Sequence, residues 1–122
     1  MSLYQKIGAA FDRRIETWKH SYQVQVDQQT SKESIKKALD VWTELTAAKD
    51  TMLASFSVLG MILGREEKDT ELVLRKIIAY YHTQYVLKEA LGETLEQETI
   101  YEVIQELRNI MSEITGKVGV QK

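Results

Sequence analysis

The chain of 122 residues contains no cysteine and no proline, and only six glycines and two histidines. Without cysteine there is no disulfide framework and no cysteine-ligated metal site. Without proline, and with little glycine, the commonest punctuation of loops and strands is missing. A chain so depleted and rich in Leu, Ile, Glu, Lys and Gln reads as helix throughout. Long apolar runs are lacking too. The most apolar stretch, MLASFSVLGMILG at 52–64, falls well short of the roughly 20 residues that a membrane-spanning helix needs. The N-terminal segment has no signal-peptide layout, since Lys6 and Asp12 interrupt any apolar region.

What is present is an ordinary balance, 28% charged and 43% hydrophobic, which argues against disorder. The net charge of −2, with both signs interspersed, leaves no global attraction for nucleic acid or acidic lipid. The expectation is one cytoplasmic domain over residues 1–116 with a frayed tail at 117–122.

Apolar residues at Tyr4, Ile7, Phe11, Ile15, Trp18, Tyr22 and Val26 step by 3, 4, 4, 3, 4, 4, which predicts an amphipathic helix over 3–28. The polar stretch DQQTSKES, residues 27–34, breaks the stripe, and Thr30 with Glu33 has capping-box spacing. A tight turn is expected here; the rival is one continuous rod over 3–63, about 90 Å long. A second helix over 31–63 carries Ile35, Ala38, Trp42, Leu45, Lys49, Met52, Phe56, Leu59 and Leu63 at strict 3,4 spacing, with Lys49 the one residue unsuited to a dry seam. Gly64 is its expected stop. Helices over 70–91 and 95–115 follow, the first capped by Asp69 or Thr70 and ended by Gly92. The last has Thr94 and Gln97 at capping-box spacing at its start, carries Ile100, Val103, Leu107, Ile110 and Ile114, and ends at Gly116. Short connections make neighbouring helices antiparallel, so the fold class is all-α, an up-down-up-down four-helix bundle. Phe11, Ile15, Trp18, Trp42, Leu45, Phe56, Leu59, Ile77, Val103, Leu107 and Ile110 are the expected core.

Little in the sequence points to chemistry. His20 and His82 are the only near-neutral acid–base groups, and neither falls in a Glu-x-x-His or His-Glu-x-x-His pattern. Glu66, Glu67, Asp69 and Glu71 in GREEKDTE do not match the spacing of a calcium loop and suit a helix start better. Arg13, Arg14, Lys19 and His20 are close together, but Asp12 and Glu16 divide their field. No cofactor and no metal is expected, and no catalytic residue is assigned.

Two surfaces stand out. The second half of helix two is apolar all round, which calls for cover on every side. Leu53, Val58, Met61 and Ile62 point away from its heptad stripe and are the expected self-association face of a homodimer. Tyr80, Tyr81, His82 and Tyr85 form a candidate ligand or partner surface. The segment AAFDRRIETW resembles a helix of sorting-nexin BAR domains over about a tenth of the chain, and that resemblance implies a membrane-surface module; the interspersed charge is unlike the basic concave face such dimers press on lipid. The leading expectation is a non-enzymatic interaction or scaffold module, such as an assembly subunit, adaptor or chaperone. A ligand-binding or catalytic bundle using the tyrosine cluster is the alternative, and a BAR-like module the third.

Overall fold

The computed structural model describes the backbone of residues 3–63 and 67–116, and the side chains of residues 4–55 and 70–116. Four helices account for nearly all of it: α1 (Leu3–Asp27), α2 (Lys32–Leu63), α3 (Glu67–Ala90) and α4 (Thr94–Thr115). The chain is a four-helix bundle. α1 packs along α2 and α3 along α4, and α4 also lies against both α2 and α1. α3 touches α2 only lightly. The fourth helix is therefore the central one and the third is peripheral.

The break between α1 and α2 excludes the continuous rod. Gln29 adopts a left-handed backbone conformation at φ 54°, and the Thr30 N–H reaches back to the Gln25 carbonyl at 3.1 Å, the closure that satisfies a helix end. The cap of α2 sits one residue later than the spacing predicts. Ser31 Oγ, not Thr30, accepts the Ser34 N–H at 3.1 Å. Thr30 is occupied with α1, its hydroxyl donating to the Gln25 side chain at 3.3 Å. A non-glycine residue in the left-handed region costs about 1–2 kcal/mol. Gln29→Gly should therefore raise the unfolding free energy by about 0.5–1 kcal/mol after the entropy cost of glycine. Urea denaturation checks this, and a loss of stability would contradict the left-handed turn.

At the α3–α4 turn Gly92 takes φ 73° and the Glu93 N–H bonds the Lys88 carbonyl at 2.9 Å. Lys88 also bridges to Glu93 at 3.0 Å. Thr94 is the first helical residue of α4, preceded by Glu93, which makes no side-chain cap; the capping box expected from Thr94 and Gln97 does not form. Gly116 at φ 72° closes α4 as expected, its N–H on the Ser112 carbonyl. α3 starts at Glu67, three residues before the expected boundary, so Thr70 is a fully buried residue of its first turn. Gly64, and the side chains of Glu66, Glu67 and Asp69, lie outside the described residues.

The core is built from Ile7 and Phe11 of α1, Val41, Leu45 and Met52 of α2, Leu74 and Ile78 of α3, and the α4 stripe Ile100, Val103, Leu107, Ile110 and Ile114. The α4 stripe is the one the sequence predicts. The α2 stripe is turned by part of a residue step. Ala38, Val41, Leu45, Ala48 and Met52 face inward, still at 3,4 spacing, while Trp42 and Lys49 fall to the edge. This removes the anomaly of a lysine in a dry seam. Ala48 occupies the inward position, and Lys49 Nζ bridges α2 to Asp12 of α1 at 2.6 Å. Trp42 lies against the ring of Tyr22, centroids 5.8 Å apart. Ile15, Trp18 and Ile77 pack on the core but remain half-buried. Phe56 and Leu59 lie outside the described side chains.

Candidate functional site

The four residues YYHTQY contributes to the candidate surface do not converge on one spot, because α3 turns them around its axis. Tyr81 points inward and is 6% exposed. Its hydroxyl donates to Glu44 Oε1 of α2 at 2.8 Å. Burial first, and then the bond to the Glu44 carboxylate, holds its phenol well above the ordinary tyrosine range. Tyr80 points outward and meets Tyr81 edge to face, with centroids 5.1 Å apart. His82 is exposed on another side of α3, where Arg108 Nη2 of α4 lies 3.0 Å from its Nε2. Since a guanidinium can only donate, that contact has Nε2 accepting and the ring proton on Nδ1. Tyr85 is half-buried and lies against Tyr101 of α4, centroids 6.5 Å apart.

The light contact between α2 and α3 leaves a cleft of about 590 Å³. Ala47, Thr51 and Ser55 of α2 form one wall; Val73, Ile77 and Tyr80 of α3 form the other. Glu44 and Lys76 add one charge of each sign to the lining. The walls are mostly apolar with few polar groups, the general build of a small-molecule site. A second, more polar cleft of about 450 Å³ lies by Tyr85, Tyr101 and the Lys37–Glu102 ion pair. Tyr81, whose hydroxyl donates to the Glu44 carboxylate, also lines the first cleft. Among the described residues no group of three or more His, Asp or Glu side chains is placed to hold a metal ion.

Polar links join the helices in a pattern the sequence could not reveal. Trp18 Nε1 of α1 donates to Glu106 Oε2 of α4 at 2.7 Å. Arg14 Nη1 lies 3.3 Å from Oε1 of the same carboxylate, an oxygen that is buried and accepts no hydrogen bond. Arg13 pairs with Glu113. Two of the basic residues clustered on α1, Arg13 and Arg14, are thus paired with carboxylates of α4.

Of the expected self-association residues, Leu53 is half-buried and packed against the core. Val58, Met61 and Ile62 lie outside the residues whose side chains are described. Among the described residues the exposed large apolar side chains are densest along α3, where Leu72, Tyr80, Val86 and Leu87, with Leu91 just past its end, are each between 48% and 61% exposed; Tyr4, Val26, Leu39 and Tyr101 are exposed on the other three helices. Among the described residues no helix is long and apolar enough to cross a membrane.

No protein-family model, no curated protein and no solved structure matches the chain.

The Tyr81–Glu44 bond is testable by pH. Below about 10, the ordinary tyrosine value, the phenol is neutral in both folded and unfolded chains. Above it the unfolded chain loses the proton and the folded chain keeps it, so stability falls as pH rises. Tyr81→Phe should be less stable than wild type near neutrality by about 1 kcal/mol. That gap should shrink above pH of about 10, since phenylalanine does not titrate. Chemical denaturation of both proteins across pH 8–11 (about this window suffices) reads the difference; a gap independent of pH would place the hydroxyl in water.

Proposed function

We propose that the chain is a non-enzymatic protein–protein interaction or scaffold module that self-associates, working in the cytoplasm without a cofactor as an assembly subunit, adaptor or chaperone. The observation that supports it is the outward face of α3. Four large apolar side chains of α3, and Leu91 just past its end, are about half exposed, whereas scattered single residues are the norm on a monomer's surface. The bundle has its own core without them, so their cover comes from another molecule.

Sedimentation equilibrium with native mass spectrometry tests this reading. The expected result is a dimer at tens of micromolar or below, about 6–7 kcal/mol of association or more, carrying no stoichiometric small molecule. A monomer throughout, or a stoichiometric metal or cofactor, overturns it.

The α2–α3 cleft favours one second reading, a small-ligand site. Its volume, about 590 Å³, is within the usual range for such sites. Mass spectrometry of small molecules released from the purified protein separates the two. A BAR-like membrane role is separated from both by co-sedimentation with anionic liposomes.

A further inference from the structure

Along α3, Leu72, Ala79, Thr83, Val86 and Ala90 lie close to one line, and Tyr80, Leu87 and Leu91 flank it on one side, together covering about 140° of the helix. Every one of them is exposed. Between Leu72 and Leu91, Lys76 is the only charged residue within that arc. The stripe is about 28 Å long at 1.5 Å per residue.

Two features indicate what covers it. The first is reversal symmetry. Positions 72, 76, 79, 83, 86 and 90 step by 4, 3, 4, 3, 4, a heptad seam that reads the same in both directions. Against an antiparallel copy, Leu72 lies opposite Ala90, Lys76 opposite Val86 and Ala79 opposite Thr83. Long side chains meet short ones at the ends, and small meets small at the centre, which lets the axes approach.

The second is charge. Arg75, His82 and Glu89 follow one another at heptad spacing on the flank opposite Tyr80 and Leu87. Arg75 uses Nε and Nη2 on Glu71, and the Glu89 carboxylate has no hydrogen bond or ion pair among the described residues. A two-fold axis across antiparallel helices brings like flanks together, so Arg75 meets Glu89 of a second copy, once at each end. Parallel pairing would instead set the charged flank against Tyr80 and Leu87, leaving charges beside apolar side chains.

We propose that two copies of this chain pair through the exposed faces of α3, antiparallel, about a two-fold axis at the level of Tyr81 and His82, with Tyr80 of each copy packed together and Arg75 bridged to Glu89 of the second copy. This rests on the self-associating interaction module argued above and names its surface. One helix face is less than the roughly 800 Å² per partner of a standard stable interface, so the dimer is micromolar, with a dissociation constant on the order of 10 μM.

Sedimentation equilibrium of the full chain over about 5–200 μM, with helicity followed by circular dichroism, tests the pairing. Val86→Glu, at an exposed position, should weaken the dimer more than about thirtyfold at unchanged helicity, since each substitution acts twice. Arg75→Glu and Glu89→Arg should each weaken it roughly threefold to tenfold. The double swap should recover wild-type affinity to within about threefold, because it restores both bridges. A wild-type dimer unaffected by Val86→Glu would overturn the α3 pairing and leave self-association standing at another surface. Failure of the double swap to recover either single variant would overturn the antiparallel arrangement. A monomeric wild type would overturn both this pairing and the self-associating reading beneath it.

Discussion

Leu107→Ala should lower the unfolding free energy by about 2–5 kcal/mol, the range for truncating a buried leucine that leaves a cavity. Leu107 is fully buried, and it belongs to α4, which packs along α3 and against both α2 and α1. Its side chain sits in a stripe with Val103 and Ile110, both also fully buried. A cavity at that point can be closed only by moving α4 relative to α3 and to the α1–α2 hairpin at once. The cost should therefore fall in the upper half of the range, since it depends on how far the site can collapse. Leu87→Ala, on the exposed face of α3, should cost about 0.5 kcal/mol or less in the monomer. Equilibrium urea denaturation at a concentration well below dimerisation compares the two. Equal losses would mean that α4 is not the central helix.

The helix count, the order and most boundaries were legible in the sequence because they depend on local chemistry. Gly92 and Gly116 end helices through a left-handed backbone that glycine adopts without strain, and the α4 stripe announces itself by its spacing. The α1–α2 turn was legible only as a polar gap. Its left-handed residue is a glutamine, so the strongest stop signal was absent. What spacing could not decide was which of two overlapping heptads on α2 faces inward. Ala38, Leu45 and Met52 belong to both, and the choice lies between Val41 with Ala48 and Trp42 with Lys49. Side-chain size favours Trp42, but close packing of α1 on α2 favours Ala48. That preference depends on a neighbour that sequence alone does not place.

The candidate surface was legible in composition but not in arrangement. Four successive aromatic and imidazole positions within six residues must spread around a helix, and they do: Tyr81 to Glu44, Tyr80 to solvent, His82 to Arg108 and Tyr85 to Tyr101. The apolar outer face of α3 was overlooked for a related reason. With apolar residues both inside and outside, α3 has little periodic contrast, and a stripe search finds no second stripe. A scan for apolar residues left over after the core is assigned would have found Leu72, Val86 and Leu91. The link from Trp18 to Glu106 spans 88 positions, and no local pattern encodes a contact of that range.

The choice between the two α2 heptads yields the sharpest contrast in stability. Ala48→Asp should cost more than about 3 kcal/mol, or prevent folding, because it places a carboxylate without a partner in the core. Ala48 is 2% exposed, and an aspartate is too short to carry its charge to water as a lysine stem can. Lys49→Ala, one residue on, should cost about 1 kcal/mol or less. It removes a single bridge to Asp12, whose side chain is more than half exposed, and bridges at such sites contribute little. If the heptad through Trp42 and Lys49 faced inward instead, the order would reverse: Lys49→Ala would relieve a buried charge and stabilise, and Ala48→Asp would lie at the wet edge with a cost under about 1 kcal/mol. Thermal melts of the two variants followed at 222 nm decide between the arrangements. Where Ala48→Asp fails to fold, Ala48→Ser supplies the same comparison on a smaller scale, with a loss of about 1 kcal/mol for a buried hydroxyl without a fixed partner.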